Sequence, residues 1–278
     1  MYDSDSTTAV AVAQFAPGSD SPANLRQLRD LATVAAARGA QLIVFPEYSS
    51  FFEPQLGPAS LAAAEPLDGP FVAGVSAIAK VLGVHIVAGM LEATGDGLRA
   101  HNTLVALDPA GRLVATYRKI HLYDAFGQRE SDVVRAGEIA EPQMFALGDL
   151  TVGMQTCYDI RFPEVTRRLV DAGADVVLVP SEWVRGPLKE DHWRTLLTAR
   201  AIENTVYVVA ADHAPPIGAG NSMILDPMGV EIVTIGEKAD VAVAWLSRDR
   251  VVTVRDLNPA LALRRFAVHP IDAAAVDV

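Results

Sequence analysis

Short apolar runs rich in Val, Ile and Leu punctuate the chain. Ten of them predict strands, at residues 8–15, 41–45, 85–91, 101–108, 113–117, 150–156, 175–179, 205–211, 222–226 and 241–246. Four intervening stretches place apolar positions at helical spacing, at 21–38, 70–82, 163–172 and 188–204. The first opens on Ser21-Pro22, the second follows Asp68-Gly69 and starts at Pro70, and the third starts at Pro163, all helix-start signals. Strand–helix alternation, a hairpin pattern around 101–117, and renewed alternation predict an α/β protein with a mixed sheet. Asp108-Pro109-Ala110-Gly111 and Asp226-Pro227-Met228-Gly229 share the form D-P-x-G and read as hairpin turns, the nearest thing to an internal repeat. No low-complexity linker divides the chain, so a single domain is expected over 1–266. The small-residue tail, 267–278, is expected to be disordered or to lie on a partner subunit.

Composition narrows the function classes. The 278 residues carry 23 basic and 34 acidic side chains, a net charge of −11. Such a surface is poorly suited to nucleic acid, where affinity comes from Lys and Arg displacing counterions, and to anionic membranes. Half of the residues are hydrophobic, enough for a sizeable core. No apolar run reaches the roughly 18 residues of a spanning helix, and no Lys or Arg precedes Arg26, so no secretory leader is expected and a cytoplasmic location is. The single cysteine, Cys157, excludes an internal disulfide. The six histidines form no i, i+3 or i+4 pair, so a zinc site is not expected either. Phosphate-binding loops and the G-x-S-x-G serine elbow are absent; Gly218-Ala219-Gly220-Asn221 lacks the third glycine of a dinucleotide loop. An enzyme of this composition would work without cofactor or metal, on an unusual nucleophile.

Three strand exits carry candidate chemistry. Cys157 ends the run 150–156 and precedes Tyr158-Asp159-Ile160-Arg161-Phe162-Pro163-Glu164. Glu47 follows 41–45 in Phe45-Pro46-Glu47-Tyr48, and Lys119 follows 113–117 in Tyr117-Arg118-Lys119-Ile120-His121-Leu122. A charge at the end of a buried strand is paired or functional, because burying it alone is costly. Cys157 read by itself is a small buried hydrophobe, and Glu47 with Lys119 a plain ion pair joining two loops. Together they suit attack on an amide: Glu47 takes the thiol proton and returns it to the departing amine, and Lys119 stabilises thiolate and oxyanion. The Tyr158 backbone N–H would add a second oxyanion donor.

These blocks, in this order, resemble the nitrilase (carbon–nitrogen hydrolase) superfamily over nearly the whole chain, from Ala9 to about Arg265. His101-Asn102-Thr103-Leu104, the run from Ala199 to Asn204, and Asn258-Pro259 before Arg264-Arg265 also match. The resemblance implies a four-layer α-β-β-α sandwich with mixed sheets, a homodimer or higher homo-oligomer, and Glu47, Lys119 and Cys157 as base, cation and nucleophile. It also places Glu130 as a further active-site carboxylate orienting Lys119 or the substrate; a surface-loop salt bridge is the alternative.

The segment from Cys157 to Glu164 is similar to the branch of omega-amidases and deaminated-glutathione amidases, which cleave a terminal carboxamide to carboxylate and ammonia. Arg161 aligns with an arginine that holds a substrate carboxylate in the carbamoylase branch, or else it pairs with Glu164 or Asp159 and locks the loop. Arg185 is a second candidate for an anionic substrate, or an exposed loop cation. Glu182 stands where the amidase branch carries a small residue, and there it would repel a substrate carboxylate. His121, Tyr123, Trp183 and Trp193 read as packing residues or pocket wall, and Phe51-Phe52 as a lid or a loop anchor. The rival functions are N-carbamoyl hydrolysis on the same fold and a catalytically retired interaction module.

Overall fold

Strands that are apolar at every position must be covered from both sides. In the computed structural model, which describes residues 7–271, this requirement builds two six-stranded sheets packed face to face. The first has the order β12-β1-β2-β3-β4-β5, with β1 Thr7–Gln14, β2 Leu42–Val44, β3 His85–Ala93, β4 Ala100–Leu107, β5 Leu113–Arg118 and β12 Asp240–Ser247. The second has the order β11-β10-β9-β8-β7-β6, with β6 Phe145–Leu147, β7 Leu150–Met154, β8 Val176–Pro180, β9 Tyr207–Ala211, β10 Met223–Leu225 and β11 Glu231–Thr234. In each sheet three central strands are parallel (β1, β2 and β3; β7, β8 and β9) and the outer pairings are antiparallel.

Side-chain alternation assigns the faces. Val10, Val12, Leu42, Val44 and Val87 of the first sheet meet Val152, Met154, Val176, Leu178 and Val209 of the second in the central core. The intervening Ala11, Ala13, Ile43 and Ile86 point outward, beneath α1 (Ser21–Ala37) and α3 (Pro70–Leu82). On the far side Val177, Val179, Val208 and Ala210 lie beneath α4 (Pro163–Asp171) and α5 (Lys189–Asn204). Helix, sheet, sheet, helix is the four-layer sandwich that the sequence resemblance implied.

Helix α1 docks through Leu28, Ala32 and Ala35, one face at i, i+4, i+7, and its N-terminus is capped by Asp20, whose carboxylate accepts from the Ala23 N–H at 2.9 Å. Both D-P-x-G segments are hairpin turns of one design. The aspartate oxygen accepts from two backbone N–H groups, Ala110 and Arg112 in one and Met228 and Val230 in the other, and Gly111 and Gly229 share a φ of +78°.

Two strands, β6 and β11, and two helices, α2 (Pro58–Ala62) and α6 (Arg248–Leu257), go beyond the sequence expectation. Residues 272–278 of the expected tail lie outside the described residues. No helix among the described residues is long and apolar enough to cross a membrane.

Candidate active site

Strand ends carry the reactive side chains to one mouth of the sandwich. Glu47 leaves β2, and its backbone crosses directly over Gly89 of β3, where a Cβ would sit 2.6 Å from the Glu47 Cα and 2.7 Å from the Tyr48 nitrogen. Only glycine permits that approach. Lys119 follows β5, its N–H donating to the Asn102 carbonyl at 2.8 Å. Cys157 follows β7 at the head of a 3-10 turn, Cys157–Arg161, with φ +45°. A non-glycine residue in that left-handed region costs on the order of 1–3 kcal/mol, and the turn is held by Asp159. Its carboxylate accepts from the Tyr117 hydroxyl (2.6 Å), the Thr156 N–H (3.1 Å) and the His121 N–H (3.0 Å), tying the loop that carries Lys119 to the loop that carries Cys157.

At the floor of a cavity of about 410 Å³ these groups form one buried network. Lys119, 2% exposed, donates to Glu47 Oε1 at 2.9 Å and to Glu130 Oε2 at 2.9 Å. Asn102 gives one N–H to each carboxylate, 2.6 Å to Glu47 and 3.0 Å to Glu130. Glu130 also accepts from the Tyr48 hydroxyl and the Tyr123 N–H, both at 2.6 Å. The second Glu47 oxygen accepts from the Glu182 N–H at 2.6 Å. The Cys157 thiol lines the same cavity as Glu47, whose charge acts on it, and donates to the Glu182 carbonyl at 3.5 Å. With two of its three N–H bonds committed to carboxylates, the Lys119 ammonium keeps one for a ligand oxygen. Behind the network His213 Nε2 contacts the Glu47 carbonyl at 2.7 Å and so must carry the proton there. Burial lowers this imidazole to about 4, which keeps it neutral.

Electrostatics sort the floor into charged and neutral members. Burial raises the Glu47 pKa, with Lys119 opposing and Glu130 reinforcing. Burial would also raise Glu130, but Lys119 and the hydrogen bond from Tyr48 outweigh it and leave the group lowered. For Lys119 burial works downward, and the paired charges of Glu130 and Glu47 overcome it, holding the ammonium well above its ordinary value. Burial and then the Glu47 charge push the Cys157 thiol well up, so it rests protonated beside a carboxylate able to receive its proton.

The cavity wall is different in kind. The Arg161 guanidinium lies 4.8 Å from the Trp183 ring and 5.9 Å from the Tyr158 ring, and pairs with neither Glu164 nor Asp159. Lys189 donates to the Tyr123 hydroxyl at 2.7 Å and lies 3.9 Å from the Phe126 ring. Glu182 lines the same cavity with its Oε1 buried and unbonded. Burial first, and the neighbouring Glu47 charge second, raise its pKa well above the ordinary value. That shift toward the protonated form weakens the repulsion of a substrate carboxylate expected from the sequence.

Arg185 needs a correction as a substrate-binding candidate. It lies off the cavity, at the surface, where Glu190 (3.4 Å) and Glu237 (3.2 Å) occupy its guanidinium. Phe51 and Phe52 are buried with Tyr48, Leu91 and Ala100 and anchor the loop, and Phe52 also lines the cavity. Trp193 is core and Trp183 is cavity wall. His121 stacks on Phe162 at 3.7 Å, a packing role.

Sequence reasoning did not single out Tyr48, Asn102 or Lys189. A polar Asn102 inside the apolar run 101–108 was a usable signal; Lys189, in a run of charges, gave none. Among the described residues no group of three or more His, Cys, Asp or Glu is arranged to hold a metal ion.

Comparison with known proteins adds three likenesses and a family. The carbon–nitrogen hydrolase family pattern matches residues 9–256. A protein of Escherichia coli O157:H7 named deaminated glutathione amidase is 39% identical over 264 residues, 93% of this chain and 97% of its own. The NitFhit protein of C. elegans superposes with a TM-score of 0.84 at 28% identity, covering 94% of this chain and 65% of that one. A variant of the amidase from Nesterenkonia sp. AN1, solved with acrylamide added at its active site cysteine, has a TM-score of 0.77 at 26% identity, covering 92% and 100%.

Proposed function

Because the chain belongs to the carbon–nitrogen hydrolase family and is a hydrolase of carbon–nitrogen bonds, we propose that it converts a linear carboxamide to a carboxylate and ammonia through a thioester on Cys157. The observation that carries this reading is the meeting of the Cys157 thiol, the Glu47 carboxylate and the Lys119 ammonium on one cavity floor.

Glu47 removes the thiol proton as Sγ forms its bond to the carboxamide carbon, and the C=O electron pair moves to oxygen. The remaining N–H of Lys119 and the Tyr158 backbone N–H stabilise that oxyanion, a donor of this kind being worth about 3 kcal/mol. Collapse re-forms C=O and breaks C–N, with Glu47 returning its proton to the departing nitrogen so that ammonia leaves. Glu47 then takes a proton from a water that attacks the thioester, and the second collapse restores the thiol and frees the carboxylic acid. Glu130 holds Lys119 in line throughout. It is a positioning residue, since its oxygens are occupied by Lys119, Tyr48, Asn102 and the Tyr123 N–H.

Arg161 and Lys189, cations without carboxylate partners on the wall, favour an acyl group bearing a carboxylate. The name of the Escherichia coli relative is in keeping with an amide substrate of that kind. A homodimer and a cytoplasmic location go with this reading, and sedimentation of the purified chain tests the first.

The primary test is Cys157→Ala with a panel of amides, carbamoyl compounds and nitriles. Ammonia release should vanish while folding stability stays within about 1 kcal/mol, and the wild-type enzyme should yield an acyl mass adduct on Cys157. Undiminished turnover in the variant would end the proposal.

A further inference from the structure

Glu182 is unusual among the acids of this molecule. Its backbone is committed to the reacting groups, the N–H to Glu47 at 2.6 Å and the carbonyl to the Cys157 thiol at 3.5 Å, so the side chain is fixed at the edge of the chemistry. Yet that side chain makes no hydrogen bond and no ion pair among the described residues, and its Oε1 is sealed from solvent within the cavity lining. A carboxyl oxygen buried without a partner is costly in any protonation state and persists where a ligand completes it.

The surroundings indicate the charge of that ligand. Besides Lys119, the groups acting on Glu182 from the floor are the carboxylates of Glu47 and Glu130, so this corner of the cavity is electronegative. On the wall the pattern inverts. Arg161 and Lys189 lie close enough to repel one another, neither has a carboxylate partner, and Arg161 Nε is also buried without an acceptor. Lys189 and Glu182 act on one another across the cavity, yet among the described residues neither cation forms an ion pair with Glu182, because each group is held in place. Lys189 is fixed by Tyr123 and Phe126, Arg161 by Trp183 and Tyr158, and Glu182 by its own backbone. One cavity thus presents an unbonded carboxyl oxygen and two cations that meet only neutral partners, His192 for Arg161 and Tyr123 for Lys189, the complement of a molecule carrying both an ammonium and a carboxylate.

Building on the amide-hydrolase reading of this cavity, we propose that Glu182 is a specificity-determining residue that binds a substrate ammonium, so that the preferred substrates are zwitterionic carboxamides that keep an amino group beside their carboxylate. The ammonium donates to the Glu182 oxygens. The substrate carboxylate takes the donors of Arg161 and Lys189.

Matched amides that differ only in the amino group test this at two chain lengths: L-glutamine against glutaramate, and L-asparagine against succinamate. In at least one pair the wild-type kcat/KM should favour the amino form by about 30-fold or more, the range for losing one partner of a desolvated charge pair. Glu182→Gln, which keeps the shape, and Glu182→Ala should each abolish that ratio. Because the readout is a ratio within one protein preparation, partial misfolding cancels. A wild-type preference for the des-amino form in both pairs, or a ratio unchanged by Glu182→Ala, overturns the proposal while leaving the hydrolase reading intact. Should wild type turn over none of the four, calorimetric binding to Cys157→Ala decides. Tighter binding of an amino form that disappears in the Cys157→Ala, Glu182→Ala double variant upholds ammonium recognition and counts against hydrolysis of these amides. Equal or absent binding overturns the recognition itself.

Discussion

The floor and the wall of the cavity use the same residue types to opposite ends. On the floor every charge is answered: Lys119 bridges Glu47 and Glu130, Asn102 reaches both, and Tyr48 and two backbone N–H groups occupy the remaining oxygens. On the wall Arg161 and Lys189 meet rings, His192 and the Tyr123 hydroxyl but no carboxylate, and Glu182 Oε1 meets no partner. Satisfied networks in a low-dielectric interior are rigid and hold reacting groups in register. Unsatisfied ones store free energy that a ligand recovers. The difference separates a part of the site built to do chemistry from a part built to be completed by substrate.

The comparison breaks most sharply at Lys119. Lys119→Met leaves two buried carboxylates facing each other, so denaturant unfolding should show a loss of about 3–5 kcal/mol, with kcat falling below detection. Adding Glu130→Gln should restore part of the stability and none of the activity. If Lys119→Met raises only KM, the floor is a binding surface and the contrast fails.

Milder cuts at the floor should read as chemistry without loss of binding. Glu130→Gln keeps the shape but loosens Lys119, and kcat should drop on the order of 10²-fold with KM nearly constant, the lower end of what one oxyanion donor is worth. Gly89→Ala, which touches no reacting atom, should cost kcat a similar factor, because its methyl would displace the Glu47 backbone and misplacement near 1 Å costs about 10²-fold. Activity unaltered in Gly89→Ala would mean that the approach of β3 does not set the position of Glu47.

Titration sharpens the assignment of the base. Glu47 must be ionised to act, and burial raises its pKa above the ordinary 4.5. Activity is therefore present above that raised value and lost as pH falls through it. The acid limb of kcat/KM should have its midpoint above 4.5, and a midpoint below it would point to a different base. Lys119, held well above its ordinary value, should set no limb below the range in which the enzyme itself unfolds.

The smallest effect is expected on the wall. Lys189→Met removes a cation whose pKa burial and Arg161 already depress, so stability should change by less than about 1 kcal/mol. KM for a carboxylate-bearing amide should rise several-fold with kcat unchanged. A kcat effect larger than the KM effect would move Lys189 from the wall to the floor.

Legibility in the sequence followed burial. Strands covered on both faces, such as β1, β2, β8 and β9, announce themselves as unbroken apolar runs. Edge strand β11, Glu231–Thr234, is mostly exposed, and helix α6 buries only Val251 and Val254, so neither leaves a periodic signal. Within the site, Glu47, Lys119 and Cys157 were legible as chemically expensive residues at strand ends. Lys189 was not, because nothing local distinguishes a lysine facing a cavity from one facing water. Arg185 misled for the same reason in reverse.

By itself the amino-acid sequence determined which segments must be buried, where the chain turns, and which three residue types could attack an amide, since these depend on side-chain chemistry and short-range spacing. Only the tertiary structure decided that Glu130 bonds Lys119 instead of a surface partner, that Asn102 reaches both carboxylates, that Arg185 leaves the site, and that Glu182 keeps an unbonded oxygen beside the thiol. Desolvation and pairing depend on what the rest of the chain brings within a few ångströms, and that information is held in no local stretch of residues.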